Sequence, residues 1–177
     1  ISVLVIFGYL FIFSQDTLIT LAQREALKKA LGDINKAPDF TLTALNDSVY
    51  NLRELEDKVV LINFWATWCG PCRREMKDLD ELQAQLGGSE FMVVALSSDR
   101  KGIPAVRKFY DDNGIKHLLA YNDKSGKAQR AMRVFGLPTT LLLDRRGRKL
   151  GRLVGSAEWS SPEAVELIRA AMERAGG

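Results

Sequence analysis

The sequence predicts an α/β fold, a central mixed β-sheet flanked by helices, with an N-terminal β-hairpin and an N-terminal anchor and stalk ahead of it. Three observations predict it. Val59–Trp65 and Phe91–Ser97 are continuous apolar runs, the mark of strands covered on both faces. Amphipathic helical patterns alternate with these runs, which places helices against the sheet. A late pair of β-prone runs, Thr139–Leu143 and Lys149–Val154, brackets the turn Asp144–Arg148 and leads into a closing helix.

Taken in order, the elements begin with residues 1–15. Ile1–Phe13 is apolar except for Ser2 and Gly8, and the first charge is Asp16. Thirteen helical residues span about 20 Å, short of the roughly 30 Å of a bilayer core. The chain opens with Ile rather than Met, so the favoured reading is a transmembrane anchor cut short, since Val5, Ile6, Phe7, Leu10, Phe11 and Phe13 leave no polar face. A signal-peptide core and a buried helix are the alternatives, although Ser14–Thr20 holds no small-x-small cleavage site. Residues 16–36 read as an amphipathic stalk or linker. Leu18, Leu21, Leu27 and Leu31 oppose Arg24, Glu25, Lys28 and Lys29, and Gly32 is the stop.

The domain proper is residues 37–177. Phe40–Ala44 and Ser48–Tyr50 form a hairpin around the turn pair Asn46-Asp47. After Val59–Trp65, a helix over Cys69–Leu86 carries Met76, Leu79, Leu82 and Leu86 on one face and ends at Gly87-Gly88. Pro104 opens a helix that Gly114 closes. His117–Tyr121 is read as a short strand and Lys127–Val134 as a helix. The last helix starts at Ser161-Pro162-Glu163, runs to Ala175 and is ended by Gly176.

Composition narrows the function. Among 177 residues, 46% are apolar and 27% charged, as a packed globular domain requires. A net charge of +3, from 25 basic and 22 acidic residues, is too small to argue for nucleic acid. The five basic residues within Arg145–Arg152 sit at a hairpin, where charge keeps a sheet edge soluble. The two cysteines stand three positions apart, so they staple no distant segments. Zinc takes four ligands, and this chain has one Cys pair and the single His117, so no metal and no cofactor beyond a redox disulfide is expected. His117, in its short strand, is read as incidental.

Cys69-Gly70-Pro71-Cys72 follows a buried strand and opens a helix. Unpaired N–H groups and the macrodipole at a helix start favour negative charge, which lowers the pKa of Cys69 and raises its thiolate fraction. Cys69 is therefore the nucleophile, and Cys72, one turn on, is the resolving thiol. Pro71 suits the first helical turn, where no N–H is needed. A peroxidase is disfavoured, because Ala66 stands where a Thr would be wanted three positions before the cysteine. Glu75 falls on the same helical face as Cys72. Trp65 and Trp68 flank the pair, Trp68 as a cover over the cysteines and Trp65 as core.

The run Asn63-Phe64-Trp65-Ala66-Thr67-Trp68-Cys69-Gly70-Pro71-Cys72-Arg73-Arg74-Glu75 resembles the active site of the thioredoxin superfamily, and most of all its TlpA-like, membrane-tethered bacterial branch. Ala37-Pro38-Asp39-Phe40, Gly136-Leu137-Pro138-Thr139-Thr140 and Gly155-Ser156-Ala157-Glu158-Trp159 carry the resemblance over about residues 37 to 175. It implies a thioredoxin fold facing the periplasm from the bacterial inner membrane. It also implies a protein-disulfide reductant that acts in cytochrome c or cytochrome oxidase (copper centre) assembly. The partners implied are disulfide-bearing haem- or copper-assembly clients and an upstream membrane electron donor; a monomer is expected. Pro138 matches the cis-proline loop, which with Trp68, Gly70, Pro71 and Leu137 lines the substrate groove, and an X-Pro bond is the common place for a cis peptide. Glu75 matches an acid that influences the site's proton chemistry. Thioredoxin usually has a buried Asp at the position of Asn63, and an amide cannot titrate. The Gly70-Pro71 pair favours reduction over a disulfide-donating oxidase or isomerase; a non-enzymatic assembly scaffold is the third reading.

Overall fold

A computed structural model describes residues 41–44 and 49–174. The apolar segment 1–15, the stalk 16–36, the turn at Asn46-Asp47 and the final stop at Gly176 lie outside the described residues. Among those described, no helix is long and apolar enough to cross a membrane.

The strands are β1 (Thr41–Ala44), β2 (Val49–Asn51), β3 (Val59–Trp65), β4 (Phe91–Ser97), β5 (Ala120–Asn122), β6 (Thr139–Leu143) and β7 (Lys149–Val154). They form one sheet in the order β2-β1-β5-β4-β3-β6-β7. β3, β4 and β5 are parallel, and the remaining pairings are antiparallel. The helices are α1 (Gly70–Leu86), α2 (Ile103–Asn113), α3 (Lys127–Ala131) and α4 (Pro162–Arg174), with a 3-10 turn at Leu52–Leu55. This is the mixed sheet with helices on both faces that the alternation predicts, in the thioredoxin topology.

β3 lies near the middle of the sheet, and all seven of its residues are buried. Its alternation divides the core. Val59, Leu61 and Trp65 join Met76, Leu79 and Leu82 of α1, Val106 and Phe109 of α2, and Val165 and Ile168 of α4. Val60, Ile62 and Phe64 face the other way, toward Ala128, Met132 and Val134 around α3. Two successive right-handed crossovers moving the same way along the sheet, β3-α1-β4 and β4-α2-β5, put both helices on one face. Fully burying one of these large side chains stabilises the fold by about 1.5–3 kcal/mol.

Two elements differ from the expected bounds by more than a residue. The short strand is Ala120–Asn122 rather than His117–Tyr121. The reason is that the backbone N–H groups of Lys116, His117 and Leu118 all donate to the buried Asp80 carboxylate, which takes them away from any ladder. α3 stops at Ala131, not Val134. Arg133 adopts a left-handed φ of 53°, and the Val134 N–H closes back on the Gln129 carbonyl at 2.9 Å. The stop at Gly114 is as expected: φ is 67°, and the Ile115 N–H reaches the Tyr110 carbonyl. The basic hairpin does more than keep an edge soluble. Arg145 donates to the Asp57 carbonyl, Arg148 pairs with Asp144 at 2.6 Å, and Arg152 donates to the carbonyls of Met132 and Arg133.

Candidate active site

The redox pair sits where β3 hands over to α1. Cys69 is the N-cap, in extended conformation, and its Sγ accepts the Cys72 N–H at 3.3 Å. Pro71 occupies the first turn of α1, and both it and Gly70 are exposed. The two sulfurs are joined as a disulfide. Cys69 keeps 7% of its surface open, and Cys72 is fully buried. The only sulfur a partner can reach is therefore Cys69.

The loop that delivers Cys69 is held from below. Asp99, just past β4, is buried and accepts the Thr67 N–H at 2.9 Å, the Thr67 hydroxyl at 2.7 Å and the Ser97 hydroxyl at 2.7 Å. Asn122 donates to the carbonyls of Ser97 and Asp99, tying β5 into the same knot. Sequence reasoning missed Asp99. The available signal was an aspartate directly after a buried strand that runs parallel to β3.

Leu137–Pro138 is a cis peptide, as the resemblance implies. The register of β6 pairs Thr139 with Phe64, so Pro138 follows alongside the end of β3 from which the redox loop departs. The Pro138 carbonyl accepts the Gly155 N–H at 2.9 Å, and the Thr139 hydroxyl donates to the Gly136 carbonyl at 2.7 Å. Leu137 is partly buried and packs against the cluster that contains both cysteines. Trp65 is core: its ring lies 5.1 Å from Phe109 and 6.0 Å from Tyr110. Trp68 is 70% exposed, so it stands in solvent beside the pair instead of closing over it. His117 has an exposed side chain, outside a strand.

Glu75 lies one turn beyond Cys72 and is only 2% exposed. Three donors from distant parts of the chain converge on it. Asn63 Nδ2 donates to Oε1 at 2.8 Å, while the Ala157 N–H and the Trp159 indole N–H each reach Oε2 at 3.1 Å. Burial pushes the Glu75 carboxyl above the usual carboxylate range, and the three hydrogen bonds only partly oppose it. The second hydrogen of the Asn63 amide goes to Thr140 Oγ1 at 2.9 Å, leaving Asn63 Oδ1 buried without a partner. A turn of that amide would present Oδ1 to a protonated Glu75. Thr140 and Trp159 were legible as motif residues but not as this acid's cage. Beyond them, a mostly apolar cavity of about 500 Å³ opens between β6, β7 and α4, with Thr140, Ala157 and Trp159 in its wall. Among the described residues no group of three or more His, Cys, Asp or Glu is placed to hold a metal.

Comparison with known proteins agrees with this geometry. The Redoxin family model matches residues 33–167. The thiol-disulfide oxidoreductase ResA of Bacillus thuringiensis (strain Al Hakam) is 35% identical over 120 residues, 68% of each chain. The thioredoxin-like protein YneN of Bacillus subtilis (strain 168) is 36% identical over 123 residues, 68% of this chain and 71% of that one. Among solved structures, the thiol:disulfide interchange protein DsbE from Chlorobium tepidum superposes with a TM-score of 0.71 at 32% identity, covering 80% of this chain and 99% of its own. The family match over most of the chain, the identity to named thiol-disulfide oxidoreductases and the Cys69–Cys72 pair on this fold agree, and this chain belongs to the Redoxin family as a TlpA-like thiol–disulfide oxidoreductase.

Proposed function

We propose that this oxidoreductase works as a reductant of protein disulfides, with Cys69 as nucleophile and Cys72 as resolving thiol. The observation that carries the assignment of roles is the unequal burial of the two sulfurs at the start of α1. In the reduced protein, the helix terminus favours the Cys69 thiolate. That thiolate attacks one sulfur of a client disulfide, forming a mixed disulfide and releasing the client's other sulfur as a thiolate. Cys72 then loses its proton to the buried Glu75 carboxylate and attacks Cys69 Sγ, expelling the second client sulfur. The client has gained two electrons, and Cys69–Cys72 is again a disulfide. A membrane dithiol donor upstream must return those electrons. Trp68, Gly70, Pro71, Leu137 and Pro138 line the groove in which the client disulfide lies.

The resemblance to TlpA-like proteins supports a wider setting. The apolar residues 1–15 anchor the chain in a bacterial inner membrane, 16–36 form the stalk, and the domain 37–177 faces the periplasm as a monomer. Clients are haem- or copper-assembly factors that serve cytochrome c or the copper centre of cytochrome oxidase.

The reduction potential of the pair, measured on the full chain in detergent against glutathione and dithiothreitol buffers, tests the direction. A value near or below about −230 mV is expected of a reductant, and a value near about −120 mV would make the protein a disulfide donor instead. Cys69→Ser separates an enzyme, which loses its physiological activity, from a scaffold, which keeps it.

A further inference from the structure

The strand register brings several loops to one end of the sheet. Trp65 pairs with Ser97 and Ser97 with Asn122, so the segments after β3, β4 and β5 leave from one level. Phe64 pairs with Thr139 and Thr139 with Val154, which adds the start of β6 and the end of β7. Two aromatic side chains are exposed at this end, one in the redox loop and one in the segment that leads to the cis-proline. Trp68 precedes Cys69, and Phe135, three residues before the cis-proline, is 94% exposed. Val134 and Met132 on either side of Arg133 are buried, so Phe135 is turned outward from an anchored segment. That segment is pinned by the left-handed Arg133, by the Arg152 guanidinium on the carbonyls of Met132 and Arg133, and by the Gln129 side chain, which accepts the Ser98 hydroxyl. A nearly fully exposed phenylalanine on an anchored segment contributes nothing to the core and leaves its ring free to meet a partner.

Charge at this end is one-sided. Arg73, Arg74, Arg100, Lys101, Lys124 and Arg133 are all exposed, the first two near the start of α1, the next three on the turns after β4 and β5, and Arg133 beside Phe135. Among the described residues none of the six forms an ion pair. The aspartates interleaved with them, Asp99 and Asp123, are buried and spent on internal hydrogen bonds. Among the described residues, Asp78, Glu158 and Glu163 gather on the β7 and α4 side, and Glu54 stands in the 3-10 turn that follows β2. A partner approaching Cys69 across the start of α1 and the turns after β4 and β5 meets mainly positive charge, with Trp68 and Phe135 exposed at the same end.

We propose that this surface selects the client: an extended, acidic polypeptide segment that carries its cystine between Trp68 and Phe135, with an apolar residue next to the cystine. The inference deepens the proposed reductase function and rests on it. The cationic collar steers the acidic segment toward Cys69, an effect that falls with ionic strength, and Phe135 holds the segment through the exchange steps already described.

The test uses the full 177-residue chain in non-ionic detergent, reduced with dithiothreitol and desalted. Its stopped-flow reaction is followed with three cystine peptides that share one disulfide ring and differ only in flanking charge: acidic, neutral or basic. Each rate is divided by the same protein's rate with uncharged 2-hydroxyethyl disulfide, which cancels general damage to the redox pair. The acidic peptide is expected to react at least ~10-fold faster than the basic one in low salt, with the gap closing in high salt, where the Debye length falls to about 3 Å. In the double variant Arg100→Glu, Lys101→Glu that ratio falls toward one, and in Phe135→Ala the normalised rate drops several-fold for every peptide. Equal normalised rates for the acidic and basic peptides, or a faster basic peptide, overturn the proposal and leave the reductase reading standing. Failure to reduce even 2-hydroxyethyl disulfide overturns the reductase reading itself.

Discussion

Helix α1 buries two carboxylates, Glu75 and Asp80, and the two are held in different ways. Asp80 receives its hydrogen bonds from three consecutive backbone amides, those of Lys116, His117 and Leu118, at 2.7–3.2 Å. Glu75 receives its own from an amide side chain on β3, an indole and one backbone N–H in the loop after β7. A cradle of successive backbone N–H groups suits a fixed anion. A cage of scattered side chains in an apolar surround, with a neighbouring amide that can turn, suits a group that gains and loses a proton, and burial has raised the Glu75 carboxyl accordingly. One chemical group on one helix, a carboxyl, is thus a strut at mid-helix and, in the mechanism we propose, a proton site behind the cysteines.

The sharpest way to break this comparison is to remove the strut. Asp80→Ala strips three backbone N–H groups of their acceptor, one of them on the buried Leu118, and should cost about 3 kcal/mol in urea unfolding. The reduction potential of Cys69–Cys72 should stay where it was. A large shift in potential would show that Asp80 belongs to the redox site after all.

The proton site is tested by adding a second acid beside it. Asn63→Asp puts two carboxyls on the buried contact that is now 2.8 Å long, and two such groups cannot both ionise there cheaply. One of them must then titrate above the ordinary carboxyl range. Stability from that group is fully present below the usual carboxylate value and is lost as pH rises through the raised one. The variant should therefore be less stable than the parent by about 2 kcal/mol at pH 8 and by less at pH 5. A loss of equal size at both values would mean that Asn63 matters only for packing.

Glu75→Gln is the milder probe of the same site. At pH 4.5 its raised pKa holds the Glu75 carboxyl of the folded parent mainly protonated, and the amide leaves one of the three donors poorly matched, a cost of about 1 kcal/mol. Because the raised pKa of Glu75 makes the parent lose stability as pH climbs, the deficit of the variant should shrink between pH 4.5 and pH 8. Urea midpoints at the two values decide it; a constant deficit would mean that Glu75 does not titrate differently on folding.

What could be read from the chain beforehand follows the reach of each interaction. The bounds of β3, β4, β6 and β7 were legible because hydrophobic runs and turn residues are local signals. The Cys pair and Glu75 were legible because three- and six-residue spacings survive into a helix. The partners of Glu75 were not, since Asn63 sits 12 positions away and Ala157 and Trp159 sit 82 and 84 away. The Asp99 to Thr67 clasp spans 32 positions and joins two parallel strands, a pairing that no local pattern encodes. The early strand at His117–Tyr121 failed for the same reason. Propensity suggested a ladder there, and a carboxylate 36 to 38 positions upstream had already taken the amides.

His117 marks the lower end of the scale and divides one residue into two parts. As the only histidine in the chain it invites a catalytic reading. Its side chain is exposed, whereas its backbone N–H makes the shortest of the bonds to Asp80, at 2.7 Å. His117→Ala keeps that amide and discards the imidazole, so it should change stability by no more than about 0.5 kcal/mol and leave disulfide exchange rates unaltered. His117→Pro keeps the position and discards the amide, so it should reproduce part of the Asp80→Ala loss. If alanine proved the more damaging of the two, the imidazole would be contributing to the site and the strut would be secondary.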